Sequence, residues 1–114
     1  MNSEAGGQSL SAEQNRLVNM LKSDEVGLKR DAAKEIIRSD ENNEKVVTAA
    51  ADALSDMSKD PHLSSLQIDT MAWLCKALAA SGDKKHIELL EDVHDNTQSQ
   101  KLRSYASKAL KVLK

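Results

Sequence analysis

Hydrophobic residues recur at intervals of three and four along most of the chain, which is the period of an amphipathic helix. Strand signals, such as alternating β-branched residues or Asn-Gly hairpins, are missing from the sequence. The pattern therefore predicts an all-α protein. It predicts six helices, at about residues 12–22, 25–38, 44–58, 65–80, 84–95 and 98–113.

Short polar segments with helix-capping chemistry separate these helices. Three of them have the form Ser/Thr-x-x-Gln, in which the first side chain caps the helix and the glutamine bonds back to it. They begin at Ser11, Ser64 and Thr97. Pro61 disfavours helix at the residue before it, and Gly82 suits the end of a helix. Each boundary thus carries a local signal for a short turn between two helices.

One helical pattern occurs twice and a weaker version lies between the two copies. Leu28-Lys29 is followed by Ala32 and Ile36, and Leu102-Arg103 is followed in the same spacing by Ala106 and Leu110. In the middle, Ile68 and Ala72 keep the apolar residue and the alanine, but Asp69 stands where the other two have a base. The anchors Leu28, Ile68 and Leu102 are 40 and 34 residues apart. A helical unit repeated at such a period indicates stacked helix pairs.

These segments, together with the leucine-rich helix that contains 87–93, resemble HEAT-type or armadillo-like α-helical repeats. The resemblance covers about residues 11–114 and implies a short right-handed α-α superhelix of about three helix pairs, preceded by a flexible tail at 1–10. A closed six-helix bundle, death-domain-like in outline, is the competing architecture. The residues predicted to form the core are Leu28, Ala32, Ile36, Val47, Ala50, Leu54, Leu74, Leu78, Leu90, Leu102, Ala106 and Leu110.

Composition narrows the class of protein further. The 114 residues suffice for one domain, and 39% hydrophobic with 30% charged residues is typical of a foldable, soluble chain. No segment approaches the roughly 18 uncharged apolar residues of a membrane span. The net charge of −2 argues against bulk attraction to nucleic acid or anionic membranes. No signal peptide is visible; the chain could be cytoplasmic, or exported if a signal peptide has been removed, so the compartment stays open.

Catalytic and metal-binding signals are absent from the sequence. Nothing matches a phosphate-binding glycine loop, a serine nucleophile elbow or a dinucleotide fingerprint. Glu91-x-x-His94 is half of a di-metal motif, which needs a second such pair. Cys75, the only cysteine, lies on the most apolar side of its helix and is predicted to be a small buried hydrophobe. We therefore expect neither an enzyme nor a cofactor or metal site.

The fourth helix is apolar on two sides. Leu66 and Trp73 fall almost opposite the side that contains Leu74. Trp73 is then either a second-face core residue or the anchor of a binding surface, since tryptophan is enriched at interface hot spots. Asp69 and Lys76 lie within about 60° of Trp73 on the helix. We predict that a partner protein binds around these four residues.

A cluster of bases near the C-terminus supports an alternative. Lys101, Arg103, Lys108 and Lys111 could bind phosphate. They could also form a solvated helix face, which is favoured because no aromatic cluster accompanies them in the sequence and nearby acids dilute their charge. The leading hypothesis is a non-catalytic scaffold or adaptor that binds another protein, with nucleic-acid binding as the alternative. A third and remoter hypothesis, an enzyme of the DNA-glycosylase kind, follows from the repeat resemblance alone.

Overall fold

The structure, a computed structural model, describes residues 9–114 and contains six α-helices and no strand in that range. A short 3-10 turn, Lys84–His86, leads directly into the fifth helix. The predicted all-α class is confirmed. Residues 1–8 of the predicted tail lie outside the described residues, so the tail stays a prediction. The helices are α1 (Ala12–Lys22), α2 (Val26–Ser39), α3 (Glu44–Met57), α4 (Ser65–Ser81), α5 (Ile87–Asn96) and α6 (Gln100–Leu113).

Two of the three predicted capping boxes form. Ser11 and Ser64 each accept a backbone N–H at the start of their helix, and the glutamine three residues later bonds back. The third box is wrong, because Ser99 rather than Thr97 caps α6. The Thr97 hydroxyl instead accepts the backbone N–H of Ser99, and its own N–H closes the end of α5.

Packing places α4 at the centre of the molecule, between α2 on one side and α6 on the other. Helices α1 and α3 pack together behind them, and α1–α2, α3–α4 and α5–α6 form contacting pairs. A stack of helix pairs predicts that every second helix is the neighbour of the next, and α2, α4 and α6 are neighbours in this order. The molecule measures 48 × 31 × 23 Å. A superhelical twist of these pairs stays a prediction.

The core is almost wholly aliphatic, with alanine where helices pack closely. Of the twelve predicted core residues, all but Leu28 are buried. Leu28 is 40% exposed and was predicted wrongly. It lies in the first turn of α2, where Val26, seven residues before the buried Ala33, provides the inward side chain instead. The helical period identified the right helix but not which end residue points inward.

The recurring base of the repeated pattern has a structural role. Lys29 Nζ in α2 donates to the carbonyl oxygen of Leu21, in the last turn of α1, over 2.9 Å. Arg103 Nη2 in α6 donates to the carbonyl oxygen of Thr97, at the end of α5, over 2.7 Å. In both pairs, the base of the second helix thus satisfies a carbonyl at the end of the first. A carboxylate cannot donate, so Asp69 has a different role in the middle pair.

His86 should make the fold sensitive to mild acid. Its side chain is 5% exposed, its Nε2 has no partner among the described residues, and burial lowers its pKa below the usual 6.5, although Asp83 opposes this. The unfolded chain therefore takes up a proton first as the pH falls through 6.5, and stability present above that pH is lost. Between about pH 7.5 and 5.5, the melting temperature should fall further for wild type than for His86→Leu.

The matched control for this prediction is His62→Leu, because His62 lies exposed in the α3–α4 loop. This variant should keep the pH dependence of the wild type. Equal slopes for wild type and both variants would show that the buried imidazole does not contribute.

Candidate interaction surface

Three helical stripes run side by side across the outer surface of α2, α4 and α6. Their residues follow the spacing i, i+3, i+4 and i+7, which keeps side chains on one side of a helix. We call this surface the α2/α4/α6 face and define it by Arg30 and Lys34 of α2, Leu66, Asp69, Trp73 and Lys76 of α4, and Lys101, Tyr105 and Lys108 of α6. It includes all four residues that the sequence predicted for protein binding.

An ion chain crosses the three helices at one end of the face. Lys101 Nζ in α6 donates to Asp69 Oδ1 over 3.1 Å, and Arg30 Nη1 in α2 lies 3.7 Å from Asp69 Oδ2. The Asp69 side chain is 33% exposed, so solvent screens these contacts only in part. Asp69 therefore bridges its two neighbouring helices. This contact accounts for the acid at a position where the other two pairs have a base.

A row of cations and aromatic rings lies beside the ion chain. Lys76 Nζ sits 4.3 Å from the centroid of the Trp73 ring and 5.8 Å from that of Tyr105. Lys34 Nζ reaches the Trp73 ring from α2 at 5.1 Å, and Lys108 Nζ reaches the Tyr105 ring at 5.0 Å. Each contact is within cation–π range and contributes about 0.5 to 1 kcal/mol at such exposed sites. The row connects α2, α4 and α6 without a carboxylate.

Trp73 combines the two positions that the sequence left open. The residue is partly buried and packs against the core, while the ammonium groups of Lys34 and Lys76 lie over its ring. Leu66, two helical turns earlier on the same stripe, is 41% exposed. The stripe thus presents an exposed apolar residue and a partly exposed aromatic residue to solvent. The binding of a partner protein at this stripe stays a prediction.

The four bases proposed for phosphate binding do not form one patch. Lys101 and Lys108 belong to the α2/α4/α6 face, but the Arg103 guanidinium points back to Thr97 and Gln100. Lys111 is exposed one helical turn beyond Lys108. Tyr105 and Lys34 belong to the face but were not predicted as site residues from the sequence. Helices α4 and α6 bring Trp73 and Tyr105 together at Lys76, and of the four proposed bases Lys108 lies over the Tyr105 ring.

Cys75 lies in the core, and both residues of the half metal motif, Glu91 and His94, lie next to an oppositely charged or acidic side chain. Cys75 is fully buried, as predicted, and burial raises the pKa of its thiol to about 12. Glu91 pairs with Lys114 over 2.8 Å, and His94 Nδ1 lies 3.0 Å from Asp95. Within residues 9–114, no three His, Cys, Asp or Glu side chains gather as a metal site would require.

A separate cleft of about 870 Å³ opens between the α3–α4 loop and the α5–α6 loop. Apolar residues that include Ile68, Met71 and Leu102 line it, together with polar residues of both loops. None of the described helices is long and apolar enough to cross a bilayer.

Comparison with known proteins adds no relative: no family model, no curated protein and no solved structure matches the chain.

Proposed function

We propose that this chain is a non-catalytic interaction module, a scaffold or adaptor that binds another protein through the α2/α4/α6 face. The observation that carries the proposal is the position of the aromatic residues. The chain has one Trp, one Tyr and no Phe, and both rings lie on this face, partly exposed and packed against the edge of the core. Tryptophan and tyrosine are the side chains most enriched in interface hot spots.

The packing supports a rigid presentation of this surface. The Trp73 and Tyr105 rings each make cation–π contacts with neighbouring lysines, and α4 packs between α2 and α6. Side chains that are already ordered lose less conformational entropy when a partner binds. We further propose that the three helix pairs are HEAT-like or armadillo-like repeats. The support is the shared contact of Lys29 and Arg103 with the end of the preceding helix.

Nucleic-acid binding through the C-terminal lysines is the less supported alternative. Lys101 is engaged by Asp69, and Arg103 is turned away from the face. When a protein binds a nucleic-acid single strand, the nucleobases stack on free faces of its aromatic side chains. Here, lysine ammonium groups cover the rings of Trp73 and Tyr105.

Removing the Trp73 ring should weaken partner binding without unfolding the chain. Affinity capture from the native organism, followed by mass spectrometry, would compare wild type with Trp73→Ala and Tyr105→Ala. A partner that uses the face should be lost from both, and for a purified partner Trp73→Ala should cost about 2 kcal/mol or more of binding free energy. Because Trp73 is the only tryptophan, its fluorescence should also change when the partner binds.

Leu89→Ala is the control for this experiment, because Leu89 is a partly buried residue of α5, outside the face. It should retain every partner that the wild type captures. If no partner depends on Trp73 or Tyr105 while both variants remain folded, the proposed function is wrong.

A further inference from the structure

The α2/α4/α6 face has a strong positive charge for a chain whose net charge is −2. The stripe positions carry one carboxylate, Asp69. They also carry five cations, namely Arg30, Lys34, Lys76, Lys101 and Lys108. Asp69 already pairs with two of these cations, Arg30 and Lys101. The remaining three form the row that contains the two rings.

Those three lysines have no carboxylate partner within residues 9–114. Lys34, Lys76 and Lys108 each make a cation–π contact and no ion pair in that part of the chain. An ammonium group has three N–H donors, and a ring face satisfies them only weakly. The row therefore holds three positive charges in place across three helices while their donors remain available to an anionic ligand.

We propose that the partner segment bound by this face is acidic, with carboxylates that meet the lysine row of Lys34, Lys76 and Lys108 and an apolar residue that packs beside Trp73. This inference rests on the proposed function and specifies the chemistry of the partner. Carboxylates pair with ammonium groups as point charges, so the lysines can stay on their rings during binding. Complementary charge of this kind speeds association and excludes basic partners.

The same geometry disfavours a nucleic acid as the occupant. Base stacking would require Lys76 and Lys108 to leave the ring faces that they cover. Helices α3 and α5, which are not part of the face, also carry exposed acids, among them Asp52, Glu88 and Asp92. A short acidic peptide can avoid these acids, whereas a polyanion long enough to reach them would be repelled.

Three labelled probes test the proposal by fluorescence anisotropy. They are a peptide in which Glu alternates with Leu, the same peptide with Gln in place of each Glu, and an oligothymidylate. The Glu peptide should bind at least about tenfold more tightly than the Gln peptide or the oligonucleotide. Lys76→Met should weaken Glu-peptide binding about tenfold, whereas Lys76→Arg should retain it.

Lys84→Met is the matched control, because it removes the same charge from the turn before α5 and should change the affinity less than about twofold. Equal binding of the Glu and Gln peptides, or equal losses from Lys84→Met and Lys76→Met, would overturn the proposal. Tighter binding of the oligonucleotide would overturn it in favour of nucleic acid. A dimer in sedimentation that Lys76→Met abolishes would overturn it in favour of a second copy of the chain.

The two proposals fail in distinguishable ways. If the captured partner depends on Trp73 but the Glu peptide has no advantage, the face binds protein without the acidic preference. If no captured partner depends on Trp73, the proposed function itself fails.

Discussion

Replacing Leu74 with alanine should lower the free energy of unfolding by about 3 to 5 kcal/mol. Leu74 is fully buried in α4, the helix that packs against α2, α3 and α6. The substitution removes apolar contacts, and the neighbouring helices are too constrained to fill the resulting cavity. Since domains of this size are stable by only about 5 to 15 kcal/mol, urea unfolding followed by circular dichroism should show a large shift of the midpoint.

Leu66→Ala provides the matched control, because it makes the same chemical change on the same helix at a residue that is 41% exposed. It should cost less than about 1 kcal/mol. Similar losses from the two variants would contradict the central position of Leu74.

Enlarging Ala106 to leucine should destabilise the fold by about 1 to 3 kcal/mol. Ala106 is fully buried in α6, and a larger side chain there forces the backbone or neighbouring rotamers to shift. Thermal unfolding should show a lowered melting temperature. The same substitution at the exposed Ala80 of α4 should change stability by less than about 0.5 kcal/mol, because leucine is almost as good a helix former as alanine. If Ala106→Leu is as well tolerated as Ala80→Leu, the close packing of α6 is not as described.

Local periodicity was sufficient to predict the helices and most of the core. The burial of Ala32, Ile36 and Leu74 follows from spacing alone, because a helix presents the same side to its neighbours over several turns. The prediction failed where a helix ends. Leu28 and Thr97 lie at such positions. In the first turn of α2, either of two apolar residues can point inward, and before α6 either of two hydroxyl residues can cap the helix. Tertiary packing selects between them.

The candidate surface was only half predictable for a related reason. Asp69, Trp73 and Lys76 share one helix, so their common side follows from the 3.6-residue period. Tyr105 and Lys34 join them only because α2 and α6 flank α4. The repeated pattern indicated that these helices are neighbours, but not which side chains of α2 and α6 would face Trp73. The aromatic cluster could therefore not be found before the helices were placed.

The bridge made by Asp69 also limits how such a chain can grow. A copy of the α3–α4 pair inserted beside the original would replace one of the two cations that flank Asp69. In the repeated pattern, the position of Lys101 corresponds to Gln67 and that of Arg30 to Thr70. Asp69 would then face an uncharged side chain on that flank and lose one of its two ion pairs. The middle pair thus specifies a basic neighbour on each flank, and its duplication would have to be accompanied by a change at position 69 or at one of these two matching positions.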